Sequence, residues 1–372
     1  ILEETRTLQA LGHKVTIVTY YKGSDMPGLD IRRTAALPWR TDYEVGSSRH
    51  KIAFDLYLAV QSLREGLRIR PDIIHGHMHE GALIGGVLAR VLGVPLVFDF
   101  QGSMTSEMAD HGFLDKNSRI HSMALRLEQT INTALPQAIL TSSQQAARLL
   151  ERDFQVDPAV IYPLPDCADT ERFNPDVLTD PQKKELRQQL GIPDERVIVA
   201  YLGLLTDYQG TPFLIEAASR LKEMNESIHF LVMGYPNVDH YRHLANQAGV
   251  LDHMTFTGKI EYRDAARYLS LGDIAVAPKV SETEGSGKIL NYMAMAQPVV
   301  AFDTPVSSEY LAEWGVYAPL GDAAGLTAAI RELAHDQQRR TEMGVALRER
   351  AKTDYSWQRA GKEIQDIYYL LT

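Results

Sequence analysis

A loop rich in glycine and glutamate that runs directly into a helix is the stretch of this sequence best suited to chemistry. It lies within residues 277–302 and contains Glu282, Glu284 and the run Gly-Ser-Gly-Lys at 285–288. A short apolar segment closed by a proline precedes it, which is typical of the end of a buried strand. Helical spacing follows in the apolar residues Ile289, Leu290, Met293 and Ala294. Such a loop presents unpaired backbone N–H groups and the positive end of the helix dipole, so it predicts a phosphate-binding site.

The same pattern has a plainer interpretation. Glycine-containing turns between a strand and a helix are common in α/β proteins, and most of them bind no anion. Lys288 is a cation suited to phosphate, but a solvated lysine paired with Glu284 or Glu282 explains it as well. The residues alone leave a phosphate site and an ordinary turn both open.

Three histidines at alternate positions form a second group that could do chemistry. His75, His77 and His79 would project from one side if a strand continued through all of them. Imidazoles with this spacing suit metal ligation, so a metal-dependent hydrolase is one alternative. Such a site needs further ligands from other strand ends, and the sequence holds no second histidine-rich motif. A strand end whose polar residues line a cleft is the favoured interpretation.

Length, composition and charge narrow the class of protein. A chain of 372 residues is too long for one ordinary core, so two domains are expected. Hydrophobic residues make up 45% and charged residues 23%, as in a soluble globular protein, and no apolar run approaches the ~20 residues of a membrane span. The net charge of −10 disfavours nucleic acid as a partner. A single cysteine, Cys167, excludes an internal disulfide and suits a cytoplasmic location.

Strand patterns and helix patterns alternate along most of the chain. Apolar strand patterns at residues 15–19, 196–203 and 254–260 are separated by amphipathic helical spacing. This alternation predicts an α/β fold with parallel sheets and helices on both faces. Ligands of such folds collect at the C-terminal ends of the strands, which is where the glycine loop is expected.

Several motifs together resemble the retaining glycosyltransferases of family 4. EGSGKILNYMAMAQPVVA at 284–301 is similar to the donor-site signature of that family. LQALGHKVTIVT at 8–19 is similar to its first helix and second strand, and DIIHGH at 72–77 to a strand end of its first domain. Residues 160–175 resemble the segment that joins its domains, and YSW at 355–357 the start of its last helix. The resemblance covers nearly the whole chain.

The fold implied by this resemblance is GT-B, with two doubly wound Rossmann-like domains facing one another across a cleft. An acceptor-side domain would comprise residues 1–165 and a donor-nucleotide domain 185–355, joined by a linker at 166–184. The last helix, at 356–372, would cross back to the first domain, although its periodicity fits packing within the second domain equally well. The family's first strand and glycine-rich loop would precede residue 1, so the first domain is expected without that strand, by truncation or by genuine absence.

The activity implied by the resemblance is transfer of a hexose-like sugar from a nucleoside diphosphate sugar to an acceptor hydroxyl, with retention. The acceptor would be a glycan, a lipid or a small molecule, and peripheral membrane contact is compatible with the second of these. The donor is a substrate, so the resemblance implies no cofactor and no metal ion. No nucleic acid is expected as a partner.

The resemblance also implies roles for individual residues. Residues expected to act on the transferred sugar are Glu284, Glu282, Gln101 and His111. Residues expected on the acceptor side are Asp99, Gly102 and His77. Residues expected to bind the donor are Gly203, Leu204, Gln209, Gly234, Gly258, Lys259, Ile260, Gly285, Ser286, Gly287, Lys288, Ile289 and Asn291.

Some positions depart from the family pattern. Leu204 and Gln209 stand where the family has an arginine and a lysine that hold the donor diphosphate. Lys288 and Lys279 are the available substitutes, since charge-assisted hydrogen bonds contribute roughly twice as much as neutral ones. Gln101 replaces a histidine that faces the sugar, and Asn291 replaces a glutamate that binds the ribose. A catalytically degenerate GT-B protein, which binds a sugar nucleotide or a partner, therefore stays open beside the enzyme.

Overall fold

The computed structural model describes residues 1–36, 51–110, 114–115, 117–280 and 286–372. The chain divides into two compact units. One unit comprises Ile1–Pro165 together with Trp357–Thr372, and the other comprises Asp166–Ser356. Among the described residues, no helix is both long enough and apolar enough to cross a lipid bilayer.

The first unit is built from parallel strands and the helices that connect them. Its strands are β1 (Thr16–Thr19), β2 (Asp30–Arg33), β3 (Ile74–His77), β4 (Leu96–Phe100), β5 (Ala138–Thr141) and β6 (Ile161–Pro163). Its helices are α1 (Leu2–Ala10), α2 (Lys51–Ile69), α3 (Met78–Leu92), α4 (Met104–Asp110), α5 (Arg119–Ala134), α6 (Gln144–Phe154) and α15 (Trp357–Leu371). Strands β1 and β2 form a parallel pair, and a second parallel sheet has the order β3-β4-β5-β6.

Strand β4 shows how the sequence pattern produces two buried faces. Its residues Phe98 and Phe100 pack in one apolar cluster with residues of α5 and α6, while Val97 packs in another. Successive side chains of a strand point to opposite faces, so a continuous apolar run fits a strand covered on both sides. Ile364 and Ile367 of α15 lie in the same cluster as Val97, so the last helix packs within the first unit.

The second unit contains a larger parallel sheet. Its strands are β7 (Val197–Leu202), β8 (Ile228–Met233), β9 (Met254–Gly258), β10 (Ile274–Ala277), β11 (Val299–Phe302) and β12 (Val316–Ala318), in the order β12-β11-β10-β7-β8-β9. Its helices are α7 (Asp180–Gln189), α8 (Thr211–Glu223), α9 (Val238–Gln247), α10 (Ala265–Leu269), α11 (Gly287–Ala294), α12 (Pro305–Leu311), α13 (Ala323–His335) and α14 (Gln337–Asp354). All pairings between neighbouring strands are parallel.

Two apolar clusters cover the two faces of this sheet. Along β7, Ile198 and Ala200 belong to one cluster, and Val199 and Tyr201 belong to the other. Strands that are buried on both faces carry helices on both sides, as in doubly wound folds. The α/β fold with parallel sheets, predicted from the alternation of elements, is confirmed, and so are the Rossmann-like domains implied by the family resemblance. The residues 166–184, predicted as a linker, lie within this unit, where Phe173 is fully buried.

Candidate functional site

The strand ends of the second unit approach one another closely through glycines. Gly203 directly follows β7, and Gly234 directly follows β8. The N–H of Gly203 donates to the carbonyl oxygen of Met233, and the N–H of Gly234 to that of Gly258, both at 3.0 Å. A Cβ atom on Gly234 would lie 1.9 Å from the carbonyl oxygen of Gly203, so only glycine fits there. The ends of β7, β8 and β9 are therefore held together by backbone contacts at these glycines.

Lys288 lies across this edge. It is the second residue of α11, and its Nζ donates a 2.6 Å hydrogen bond to Oε1 of Gln209 and a 3.3 Å hydrogen bond to the hydroxyl of Tyr201. The same Nζ lies 4.6 Å from the centre of the Tyr201 ring. A Cβ atom on Gly203 would lie only 2.8 Å from Nζ, so the ammonium group is seated directly over the end of β7. A cation is thus fixed at the strand end and the helix start.

Two buried tyrosines support this arrangement, and the sequence had not pointed to them. The hydroxyl of Tyr201 donates to the carbonyl oxygen of Leu204 at 2.7 Å. The hydroxyl of Tyr292, on α11, accepts from the N–H of Leu202 at 2.8 Å and so ties the helix to the end of β7. Burial raises the pKa of both tyrosine hydroxyls, so both stay protonated and keep donating. Tyr292 lies within the motif at 284–301 that resembles the donor-site signature, whereas the sequence signal of Tyr201 is a large aromatic residue within an apolar strand.

The positions where the family has cations are occupied by neutral side chains. Gln209 is only 9% exposed, and its oxygen receives Lys288. Leu204 is partly buried and adds no charge. Gly210 follows with a positive φ of 85°, and a Cβ atom there would lie 2.0 Å from the carbonyl oxygen of Pro278. The loop after β7 is thereby held against the end of β10, where Lys279, 7% exposed, follows Pro278.

Four residues that were predicted to bind the sugar-nucleotide donor lie at the N-cap position or in the first turns of α11. Ser286 is the N-cap residue, and its Oγ is buried without a hydrogen-bond partner among the residues that the structure describes. Gly287 begins the helix, where a Cβ atom would lie 3.5 Å from Oδ2 of Asp166. Ile289 is buried in the core, so only its backbone can face a ligand. Asn291 is partly buried one turn into the helix.

The contacts given for the residues at the end of β9 and just after it do not involve Lys288, Gln209 or Tyr201. Gly258 ends the strand with a positive φ of 75°. Lys259 has a side chain that is 60% exposed, with Nζ 3.7 Å from Glu261 and 5.6 Å from the centre of the Tyr235 ring. Ile260 packs its partly buried side chain against the core. The structure therefore gives Lys259 surface partners, in contrast to Lys288.

Four of the predicted site residues fall outside the part of the chain that the structure describes. These residues are Glu282, Glu284, Gly285 and His111. The roles expected for them stay predictions.

A second polar group occupies the C-terminal strand ends of the first unit. His77 and Asp99 are opposite one another in the register of β3 and β4, and Nδ1 of His77 lies 2.7 Å from Oδ2 of Asp99. The amide of Gln101 donates to the other oxygen of Asp99 at 2.6 Å, and Gly102 follows it. Burial alone would raise the pKa of Asp99, but the hydrogen bond and the attraction of His77 outweigh it, so the pKa is lowered. Burial opposes a charged His77 as well, and the bond to Asp99 raises its pKa nonetheless.

His75 and Glu4 complete this group. The rings of His75 and His77 stack with their centres 4.7 Å apart. Nδ1 of His75 lies 2.8 Å from the hydroxyl of Tyr368 and 3.3 Å from Oε1 of Glu4. Burial lowers the pKa of His75, although the attraction of Glu4 opposes this. Glu4, on α1, was not among the residues that the sequence predicted, because its proximity to β3 depends on helix packing.

His79 does not join the other two histidines, because a common side for all three required a strand that continues through His79. Strand β3 ends at His77, and Met78 has a positive φ of 60° and begins α3. His79 is therefore buried against Phe98 and Phe100, with Nε2 3.4 Å from Oε1 of Glu128. The alternation of a strand ceases where a helix begins, which redirects the third ring.

Family models match both parts of the chain. The model described as Glycosyltransferase Family 4 matches residues 1–172, and the model described as Glycosyl transferases group 1 matches residues 182–350. Solved structures of similar fold include sucrose-phosphate synthase from Thermosynechococcus elongatus, with a TM-score of 0.81 and 19% identity, covering 99% of this chain and 92% of that one. Anabaena HepE in complex with UDP-glucose has a TM-score of 0.75 and 13% identity, covering 96% of this chain and 100% of that one. The fold and the matches define a glycosyltransferase of the GT-B class.

Curated relatives agree with this assignment. Alpha-D-kanosaminyltransferase from Streptomyces kanamyceticus is 25% identical over 315 residues, which cover 82% of this chain and 80% of the relative. D-inositol 3-phosphate glycosyltransferase from Corynebacterium aurimucosum is 25% identical over 306 residues, which cover 80% and 71%. The chain belongs to the family 4 glycosyltransferases, as its motifs predicted.

Proposed function

We propose that this glycosyltransferase moves a hexose-like sugar from a nucleoside diphosphate sugar to an acceptor hydroxyl, with retention of the anomeric configuration. The second unit would bind the donor, and the first unit would bind the acceptor, which is a glycan, a lipid or a small molecule. The UDP-glucose complex of the structurally similar HepE makes UDP-sugars the first donors to test. The reaction as proposed needs no cofactor, because the nucleotide sugar is itself a substrate.

The observation that carries this proposal is the position of Lys288. Its ammonium group lies over Gly203 at the end of β7, next to the first turn of α11. A diphosphate placed there meets a cation and the backbone N–H groups of a helix start together, which is the usual chemistry of phosphate recognition. Lys288 would thus supply the positive charge that Leu204 and Gln209 lack.

The reaction itself places its main demand on charge stabilisation. The bond between the anomeric carbon and the diphosphate oxygen breaks, and its electron pair leaves with the diphosphate. The acceptor oxygen bonds to the same face of the sugar, and its proton passes to the departing phosphate. Lys288 and the amides at 286–288 would stabilise the developing negative charge, which is the largest contribution in many enzymes. Glu282 or Glu284 would contact sugar hydroxyls, and Asn291 would hydrogen-bond the ribose as a neutral partner.

The acceptor side would use the polar strand ends of the first unit. Asp99 accepts hydrogen bonds from both His77 and Gln101, so its position is fixed by two partners. A fixed carboxylate with a neighbouring imidazole can orient a hydroxyl group. Gln101 is already engaged with Asp99, and as an amide it can hydrogen-bond a sugar hydroxyl but cannot transfer a proton.

Product analysis tests this proposal directly. The purified chain is incubated with UDP-glucose and other nucleoside diphosphate sugars, and with candidate acceptors that include D-inositol 3-phosphate. We expect release of the nucleoside diphosphate and an α-configured product from an α-configured donor, as measured by NMR coupling at the anomeric carbon. A β-configured product would contradict retention.

A second function follows from the same site. Leu204 and Gln209 leave the diphosphate with fewer cations than the family provides, which favours a protein that binds a sugar nucleotide without turning it over. Calorimetry of UDP-glucose binding, together with an assay of UDP release, distinguishes the two functions. A degenerate binding protein would bind UDP-glucose saturably. It would release no UDP over many hours, whichever acceptor is added.

A further inference from the structure

The buried group formed by Glu4, His75 and His77 has the composition of a metal site. One ring nitrogen of each histidine and one carboxylate oxygen of Glu4 all lie within 4.8 Å of one another. Glu4 is only 7% exposed, and both histidine side chains are largely buried. The group joins α1 (Leu2–Ala10) to β3 (Ile74–His77), two elements that are distant in sequence.

His77 is oriented as metal-binding histidines are. Its Nδ1 is occupied by Oδ2 of Asp99 at 2.7 Å, and its Nε2 lies 3.8 Å from Oε2 of Glu4. Asp99 is in turn held by the amide of Gln101 at 2.6 Å. A carboxylate on the far nitrogen fixes the ring and makes the near nitrogen a better ligand, and this arrangement accompanies most histidine ligands of metals.

Nε2 of His75 has no hydrogen-bond partner among the residues that the structure describes. Its Nδ1 meets the hydroxyl of Tyr368 at 2.8 Å, whereas its Nε2 is buried and has no hydrogen-bond partner among the described residues. Nδ1 also lies 3.3 Å from Oε1 of Glu4, so the ring is next to the carboxylate, and its orphaned Nε2 lacks the partner that buried polar atoms normally have, which indicates a missing ligand. The ring also stacks on that of His77, at 13° between the planes, so the two side chains run side by side.

We propose that Glu4, His75 and His77 bind a divalent transition-metal ion, with Zn²⁺ as the best fit. Two imidazoles and one carboxylate are a known donor set for zinc, with the fourth tetrahedral position open. Magnesium and calcium prefer oxygen ligands throughout, so they fit poorly. Bonds of about 2.0–2.2 Å require the three ligand atoms to approach to roughly 3.4 Å, which is a small movement of side chains from their present separation.

The metal would fasten α1 to the end of β3, and the inference goes beyond the proposed sugar transfer, which needs no metal. The family resemblance implies no metal ion, and the proposed group also differs from the alternative set of His75, His77 and His79, since Glu4 stands in place of His79.

Zinc titration of metal-free protein tests the inference. The chain is purified without a polyhistidine tag, stripped with a chelator and titrated with Zn²⁺ against a fluorescent competitor at pH 7.5. We expect one tightly bound equivalent per chain and a rise in the thermal unfolding midpoint. The substitutions His77→Gln and His75→Gln should each weaken zinc binding by at least about a hundredfold, and Asp99→Asn by about tenfold to a hundredfold.

His240→Gln is the matched control. His240 is exposed on α9, one turn before His243, and such a helical pair is a competing surface site for zinc. This variant should keep the tight equivalent. Circular dichroism of each metal-free variant shows whether it is folded, and the mildest change, Asp99→Asn, keeps the test valid if a ligand variant unfolds. Binding that is absent in the parent chain, or that is lost only in His240→Gln, would overturn the inference.

Discussion

The ammonium group of Lys288 donates a 2.6 Å hydrogen bond to the side-chain oxygen of Gln209, although the two residues are 79 positions apart. Gln209 is the position where the family has a lysine. The ammonium group of Lys288, from α11, therefore lies next to the neutral side chain at this position. The aromatic ring of Tyr201 lies beneath the same ammonium group, at 4.6 Å. A cation over an aromatic face is stabilised by the ring's quadrupole, which helps to keep Lys288 in position without ligand.

Restoring the family's cations should strengthen diphosphate binding. The double variant Leu204→Arg plus Gln209→Lys adds two positive charges beside Gly203, and it removes the acceptor that now holds Lys288. We expect UDP affinity, measured by calorimetry, to rise by about tenfold or more at low ionic strength and to rise less at high salt. Affinity that is unchanged at low salt would show that the phosphates bind elsewhere.

The last helix should stabilise the first unit through its buried face. Ile364 is 1% exposed and shares a cluster with Leu8, Val97 and Leu140, whereas Leu370 on the same helix is 73% exposed. Ile364→Ala should lower the free energy of unfolding by about 2–4 kcal/mol through lost burial and the cavity left behind. Leu370→Ala is the control and should change it by less than ~0.5 kcal/mol.

Hydrogen exchange locates this effect. Amides of β4 and β5 should exchange faster in Ile364→Ala than in the parent chain, because Val97 and Leu140 lose a packing partner. Unchanged exchange in both strands would show that α15 does not support the sheet.

Glu128 should make the stability of the first unit depend on pH. Its carboxylate is fully buried, accepts from the N–H groups of Met104 and Thr105 at 3.0 and 2.9 Å, and lies next to His79. Burial alone would raise the pKa of Glu128, but His79 and Thr105 outweigh it and the pKa is lowered. A lowered folded-state pKa means that the stabilisation is present above the unfolded value of about 4.3 and is lost as pH falls below it.

The substitution Glu128→Gln tests this dependence. We expect a loss of about 2 kcal/mol near pH 7, since hydrogen bonds to a charged group are lost and the start of α4 is less well satisfied. The difference from the parent chain should narrow below about pH 4, where the protonated glutamate and glutamine carry the same charge. Glu151→Gln, at an exposed position on α6, is the control. Thermal unfolding from about pH 2.5 to about pH 7 measures all three proteins, and a difference between Glu128→Gln and the parent chain that does not narrow below about pH 4 would contradict the account.

Much of the fold could be predicted from local patterns. Apolar runs and helical spacing alternate in the sequence, and each is set by residues close in the chain. The strand end at His77 could not be predicted, because it depends on the positive φ of Met78 rather than on residue type. Only a strand that continues through His79 would place it with His75 and His77, and the structure instead buries it beside Glu128.

The candidate sites were likewise predictable only where their residues are close in sequence. Lys288 could be named as the substitute cation because it follows the glycine loop, but its contacts with Gln209 and Tyr201 join elements distant in sequence. Glu4 was missed for the same reason, since its distance to His75 is set by how α1 packs. Tertiary contacts of this kind leave no periodic signal in a single sequence.

The most direct measurement of the central claim is the affinity of the Lys288→Met variant for UDP. Methionine keeps much of the side-chain volume and removes the charge, so folding should be little affected while phosphate recognition is lost. Lys352→Met is the matched control, because Lys352 is exposed on α14. By calorimetry at constant ionic strength, the account predicts that Lys288→Met binds UDP at least tenfold more weakly than the parent chain, about 1.4 kcal/mol, with Lys352→Met unchanged. Equal affinities for UDP in the parent chain and in Lys288→Met would contradict it.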